Sequence, residues 1–142
     1  MPNKKASAKW NGDLKSGNGT MSLGSGAFEG AFTFASRFED GKGTNPEELL
    51  AAAHAGCYSM ALSNELHKAG HKSENVSTKA VITLEPIDGV PTISTIKLES
   101  EAKVPGLSNE DFQKIANATK EACPVSRALK ALKIELNATL IS

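Results

Sequence analysis

The sequence predicts an α+β domain, mostly antiparallel strands wrapped around one central buried helix. Three observations carry this. Residues 44–66 read as one long helix, almost continuously apolar from Leu49 to Leu62. Short runs punctuated by glycine precede it. Two runs alternating with period two and rich in β-branched residues follow it. The expected order is β-β-β-α-β-β-α-α-β. With 142 residues, no repeat and no low-complexity tract, the chain suits a single domain, 1–142.

Residues 1–43 read as strands with glycine-rich turns. Ala6 to Trp10 and Gly19 to Leu23 are bridged by Asn11-Gly12 and Ser16-Gly17-Asn18-Gly19. Ala31 to Phe38 makes a third strand, with Phe32, Phe34 and Ser36 on one face. The long helix opens on two superposed signals: a capping box of Thr44 with Glu47, and Asn45 as N-cap before Pro46. Gly70 is placed to stop it. A helix apolar on every side must be buried. So small a domain cannot readily cover it alone, which points to an oligomer.

Val76 to Leu84 and Thr92 to Val104 read as an antiparallel pair around Asp88-Gly89-Val90-Pro91. Ser108 opens a helix to about Glu121, with Phe112, Ile115, Ala116 and Ala122 on its apolar side. Cys123-Pro124 starts a short helix through Leu129, and Lys133 to Ile141 closes the chain as a strand.

Sixteen basic and sixteen acidic side chains give zero formal charge, which removes the electrostatic case for nucleic acid or an anionic membrane as partner. No stretch is apolar enough to span a membrane, and the polar, basic N-terminus lacks the apolar core of a signal peptide. The expected compartment is cytoplasmic. Two cysteines in a reducing compartment point to reactive or buried thiols more than to a structural staple.

Those cysteines, Cys57 and Cys123, are where chemistry could lie. Mid-helix burial raises a thiol pKa, whereas a helix N-terminus lowers it, so local physics favours Cys123 as the more acidic. Cys57 becomes a reactive thiolate only if a cation is brought to it. The chain has two arginines, Arg37 and Arg127, and Arg127 sits four residues past Cys123. Two inert core thiols are the plain alternative, because free cysteine usually packs as a small hydrophobe. His54, three residues before Cys57, suggests a Cys-His nucleophile pair or a metal ligand. A hydrogen-bonded core histidine fits as well. No phosphate-binding glycine motif is present, and neither a cofactor nor a metal is expected.

Taken together, Arg37-Phe38-Glu39, Gly43-Thr44-Asn45-Pro46-Glu47-Glu48-Leu49, Ala52-Ala53-His54-Ala55-Gly56-Cys57, Val104-Pro105-Gly106 and Cys123-Pro124-Val125-Ser126 resemble the OsmC/Ohr family of thiol-dependent hydroperoxide reductases, most closely its OsmC branch. The resemblance covers nearly the whole chain. It implies an OsmC-like fold and an intertwined homodimer with active sites at the subunit interface. It implies that Cys57 is the peroxidatic cysteine, oxidised to a sulfenic acid, and that Cys123 is the resolving cysteine that closes a disulfide with it. Arg37 would stabilise the thiolate and Glu47 would orient that arginine. Organic hydroperoxides would be the substrates and a dithiol, lipoyl-type in some members, the reductant. Gly56 and Tyr58 stand where alanine and phenylalanine are more usual in the family.

Glu47 and Cys57 are ten residues apart on one expected helix, roughly 15 Å along its axis. If both serve one site, Glu47 should come from the partner subunit, or the helix should begin later. Two further readings compete: a non-catalytic binding or structural protein of the same fold with unreactive thiols, and a Cys-His hydrolase using Cys57 and His54.

Overall fold

A computed structural model describes residues 1–141 and groups them into two compact units, residues 1–49 and the part that starts at Leu50. The expected mixture of strands and helices is present. In the first unit β1 (Ala6–Asn11), β2 (Asn18–Leu23) and β3 (Glu29–Phe32) form an antiparallel sheet in that order. Gly19 lies opposite both Trp10 and Phe32. A Cβ there would fall 2.6 Å from the Phe32 ring and 2.7 Å from the Trp10 ring. Glycine thus leaves room for the two rings to meet, with centroids 5.2 Å apart.

The third strand stops earlier than residues 31–38 predict. Helix α1 (Phe34–Phe38) follows β3, so Arg37 stands on a helix and not at a strand end. The cause is a capping box made by Thr33 and Ser36. The Ser36 N–H donates to Thr33 Oγ1 (3.1 Å), and the Thr33 N–H donates to Ser36 Oγ (2.9 Å). Serine stands where glutamate or glutamine usually completes this motif, and the alternation of Phe32, Phe34 and Ser36 resembled a strand face. The element order therefore gains a helix.

Helix α2 (Pro46–Lys68) starts on Asn45, whose Oδ1 accepts the Glu48 N–H at 2.7 Å. The alternative capping box of Thr44 with Glu47 does not form. The Thr44 hydroxyl donates to the Glu48 carboxylate (2.8 Å), and Glu47 is engaged by Arg37. At the far end Gly70 takes φ +88°, and the His71 N–H donates to the Leu66 carbonyl (2.9 Å), closing the helix as predicted.

In the second unit β4 (Asn75–Ile87) and β5 (Val90–Lys103) form a hairpin turned by Asp88-Gly89, both at positive φ. β6 (Lys133–Ile141) pairs with β5 in parallel, so the chain between them crosses over through α3 (Asn109–Ala122) and α4 (Pro124–Ala128). The registers stack residues in rows across the sheet: Ile82–Ile96–Ile134, Ala80–Leu98–Leu136, Thr78–Ser100–Ala138 and Val76–Ala102–Leu140. The core takes Leu98, Ala102 and Ala138 from these rows, Tyr58, Leu62 and Leu66 from α2, and Phe112 and Ala116 from α3.

Helix α2 buries one face, not its whole circumference. His54, Tyr58, Leu62 and Leu66 recur every fourth residue and are fully buried. Ala52, Ala53, Gly56 and Met60 are exposed, Met60 at 78%. The expectation of burial all round fails within this chain because alanine and glycine fill that face with little apolar area to hide. A Cβ on Gly56 would meet nothing within 4 Å. Gly56→Ala is therefore expected to stabilise the fold by about 1 kcal/mol through helix propensity alone. Thermal unfolding checks this, and a melting point unchanged or lowered would refute it.

Candidate active site

The two thiols meet. The Cys123 Sγ–H donates to Cys57 Sγ at 3.1 Å, and both cysteines are free. Cys57 is half-buried on α2, and Cys123 is buried at the junction of α3 and α4. Pro124 disfavours helical backbone at Cys123, which adopts φ −54°, ψ 127°. That bend ends α3, begins α4 and turns the Cys123 side chain inward. Burial pushes the Cys57 thiol above its ordinary range, and contact with Cys123 adds to this. A hydrogen bond from the Val125 backbone N–H, in the first turn of α4, offsets part of the rise. Among the described residues of this unit, none supplies Cys57 with a cation that would overturn burial. Arg127 is exposed and borders a surface cleft of about 690 Å³ with Lys120 and Lys130; it does not follow Cys123 into the interior.

Arg37 and Glu47 form a fork within the first unit. Arg37 Nη2 donates to Glu47 Oε1 at 2.7 Å, and its Nε donates to both carboxylate oxygens at 3.1 and 3.2 Å. The Glu47 side chain is 10% exposed and that of Arg37 36%. Backbone geometry sets the pair up. Ser36 Oγ donates to the Thr44 carbonyl (2.8 Å) and Asn45 Nδ2 donates to the Ser36 carbonyl (2.9 Å), tying α1 to the start of α2. The arginine's Nη1 makes no hydrogen bond among the described residues, so one edge of the guanidinium remains for an anion. Arg37 also borders a cleft of about 210 Å³ lined by Trp10, Leu14, Phe32, Phe34 and Phe38. Its guanidinium carbon lies 5.2 Å from the Phe38 ring centroid.

His54 forms no nucleophile pair with Cys57. Its Nε2 shares a 2.7 Å hydrogen bond with Ser126 Oγ, and its Nδ1 is buried without a partner. Burial lowers its pKa, which keeps the ring neutral. A bare acceptor is less costly to bury than an unpaired N–H, so the proton belongs on Nε2, donating to Ser126. The core-histidine reading thus holds over the hydrolase and ligand readings. No group of three possible metal ligands occurs among the described residues. Sequence reasoning missed Ser126 as this partner. Its signals were a place three residues past Cys123 and membership of the Cys123-Pro124-Val125-Ser126 stretch, neither of which names a partner.

A family model described as OsmC-like protein matches residues 39–137. The chain is 46% identical over 129 residues to Peroxiredoxin OsmC of Escherichia coli (strain K12), covering 90% of each. It is 30% identical over 104 residues to Organic hydroperoxide resistance protein-like 2 of Staphylococcus epidermidis, 71% of each. The fold matches the crystal structure of an OsmC like protein from Mycoplasma pneumoniae with TM-score 0.77, at 19% identity and 99% coverage of both chains. Two touching thiols on a chain this close to a peroxiredoxin define a thiol peroxidase. Within that class the chain belongs to the OsmC family. No helix of the described residues is long and apolar enough to cross a membrane.

Proposed function

We propose that this protein reduces organic hydroperoxides to alcohols in a cytoplasmic response to oxidative stress. The observation that carries the reading is the contact of Cys57 and Cys123 sulfurs at 3.1 Å. In the first step the Cys57 thiolate attacks the peroxide O–O bond. The alcohol leaves with a proton, and Cys57 is left as a sulfenic acid. In the second, the Cys123 sulfur attacks Cys57 Sγ, the S–O bond breaks, water departs and a disulfide forms. Bond formation at about 2.05 Å needs a movement of roughly 1 Å from the reduced contact. An external dithiol, lipoyl-type by family resemblance, returns both thiols by exchange.

Arg37 supplies the cation that favours the Cys57 thiolate, and Glu47 fixes the fork that presents it. Helix α2 is unbroken from Pro46 to Lys68, which favours an Arg37–Glu47 pair contributed by the partner subunit of a homodimer. The exposed Ala52, Ala53, Gly56 and Met60 face supports such a partner. The family-model match over 39–137 runs through both compact units and supports one domain, 1–142. The aromatic cleft beside Arg37 suits the apolar body of a hydroperoxide.

The deciding experiment is consumption of cumene hydroperoxide by the reduced protein with a dithiol as electron source. Catalytic consumption is expected, with slower turnover of hydrogen peroxide. Consumption no faster than that by the dithiol alone would overturn the reading.

A further inference from the structure

The hydrogen bond between His54 and Ser126 has no part in the steps above, yet it joins the same two elements as the thiol pair. His54 lies three residues before Cys57 on α2, and Ser126 lies three residues after Cys123 on α4. Both are sealed from solvent, His54 at 0% exposure and Ser126 at 3%. Helix α4 has only five residues, and Cys123 gives it no side-chain cap. Among the described residues of α4, Ser126 alone makes a side-chain hydrogen bond. The short helix behind the resolving thiol is therefore tied to the helix that carries Cys57 at two polar points, the His54–Ser126 pair and the Val125 N–H on Cys57 Sγ, and only the first is made by side chains on both elements.

We propose that His54 and Ser126 are positioning residues for disulfide closure: their hydrogen bond holds α4, and with it Cys123, in register with Cys57. This rests on the peroxidase reading. Among the described residues neither side chain hydrogen-bonds to a reacting sulfur. The first step needs only Cys57 and its cation, so it should be indifferent to the bond. The second needs Cys123 Sγ brought to Cys57 Sγ along the line of the departing oxygen, and an error of about 1 Å in such an approach is costly. A sulfenic acid that waits too long meets a second peroxide molecule and is oxidised to the sulfinic acid, releasing a second alcohol.

The test is single-turnover kinetics of the reduced 142-residue chain with cumene hydroperoxide, followed by intact-mass analysis, on wild type, Ser126→Ala, Ser126→Thr and His54→Gln. The first phase, proportional to peroxide, should keep its rate within twofold in all four. The second, independent of peroxide, should slow about fivefold or more in Ser126→Ala, the factor set by loss of one net hydrogen bond. Ser126→Thr, which keeps the hydroxyl, and His54→Gln, which can still reach it with an amide, should recover most of the rate. Sulfinic acid at Cys57 should then accumulate at lower peroxide in Ser126→Ala than in wild type. Equal closure rates in wild type and Ser126→Ala would overturn the clamp alone. A fall of both phases together would also overturn it, by making the bond a general structural one. A wild type that forms no disulfide would overturn the peroxidase mechanism and the clamp with it.

Discussion

Cys57→Ser is expected to abolish hydroperoxide turnover, a loss on the order of a thousandfold or more, because it removes the nucleophile itself. Cys123→Ser should behave differently. It should consume one equivalent of peroxide per chain in a first turnover and then stall until an external thiol reduces Cys57. The difference can be read directly by trapping sulfenic acid with a 1,3-dione after one equivalent of peroxide. An adduct should appear on Cys57 in Cys123→Ser and none on Cys123 in Cys57→Ser. The expectation depends on which sulfur is peroxidatic. Cys123 stands at the N-cap position of α4 without capping it through its side chain, whereas Cys57 is pushed up by burial. An adduct on Cys123 in the Cys57→Ser variant would reverse the assignment, and with it the roles of the two helices.

Arg37→Ala should produce the second largest effect. Burial raises the Cys57 pKa, so at neutral pH the thiolate is scarce unless a cation favours it. In the proposed site Arg37 is that cation, and removing it disfavours the charged form. The pH midpoint of the peroxide reaction should rise by roughly one unit or more, and the rate at pH 7 should fall about tenfold to a hundredfold. The loss should shrink as pH rises, because alkali restores the thiolate without help. A profile that falls by the same factor at every pH would assign Arg37 to binding peroxide instead. Arg37→Ala also leaves the buried Glu47 carboxylate unpaired, which threatens stability on its own account. Arg37→Ala with Glu47→Gln removes that strain, so the pH shift in the double variant isolates the chemistry. Arg37→Lys should recover the charge but not the two-point grip on Glu47.

Strand periodicity was the most legible signal. β4, β5 and β6 could be read from alternation because each has one face on the core, and Gly70 and Ser108 marked helix ends by chemistry that needs no tertiary context. Residues 33–38 were misread because a capping box using serine competes with an alternating pattern, and only the backbone decides between them. Burial of α2 all round was expected jointly with an oligomer, and one chain by itself buries only the face of His54, Tyr58, Leu62 and Leu66. The site divides the same way. Arg37 and Glu47 were singled out and do meet, and the capping role that spacing also allowed Glu47 does not form. Cys57 and Cys123 meet across 66 residues of sequence, a contact no local pattern encodes. Ser126 stayed hidden because a buried serine is recognised by its partner, and that partner lies 72 residues away.

The parallel pairing of β5 with β6 also bears on how the sulfurs can move. The segment that carries Cys123 is a crossover whose two ends feed neighbouring strands of one sheet, and Gln113 on α3 donates to the Ala138 carbonyl of β6 at 2.7 Å. It is a leash anchored at both ends. That anchoring limits how far Cys123 can travel from the sheet. In the proposed cycle the same anchoring keeps Cys123 within reach of Cys57 whenever the disulfide is opened.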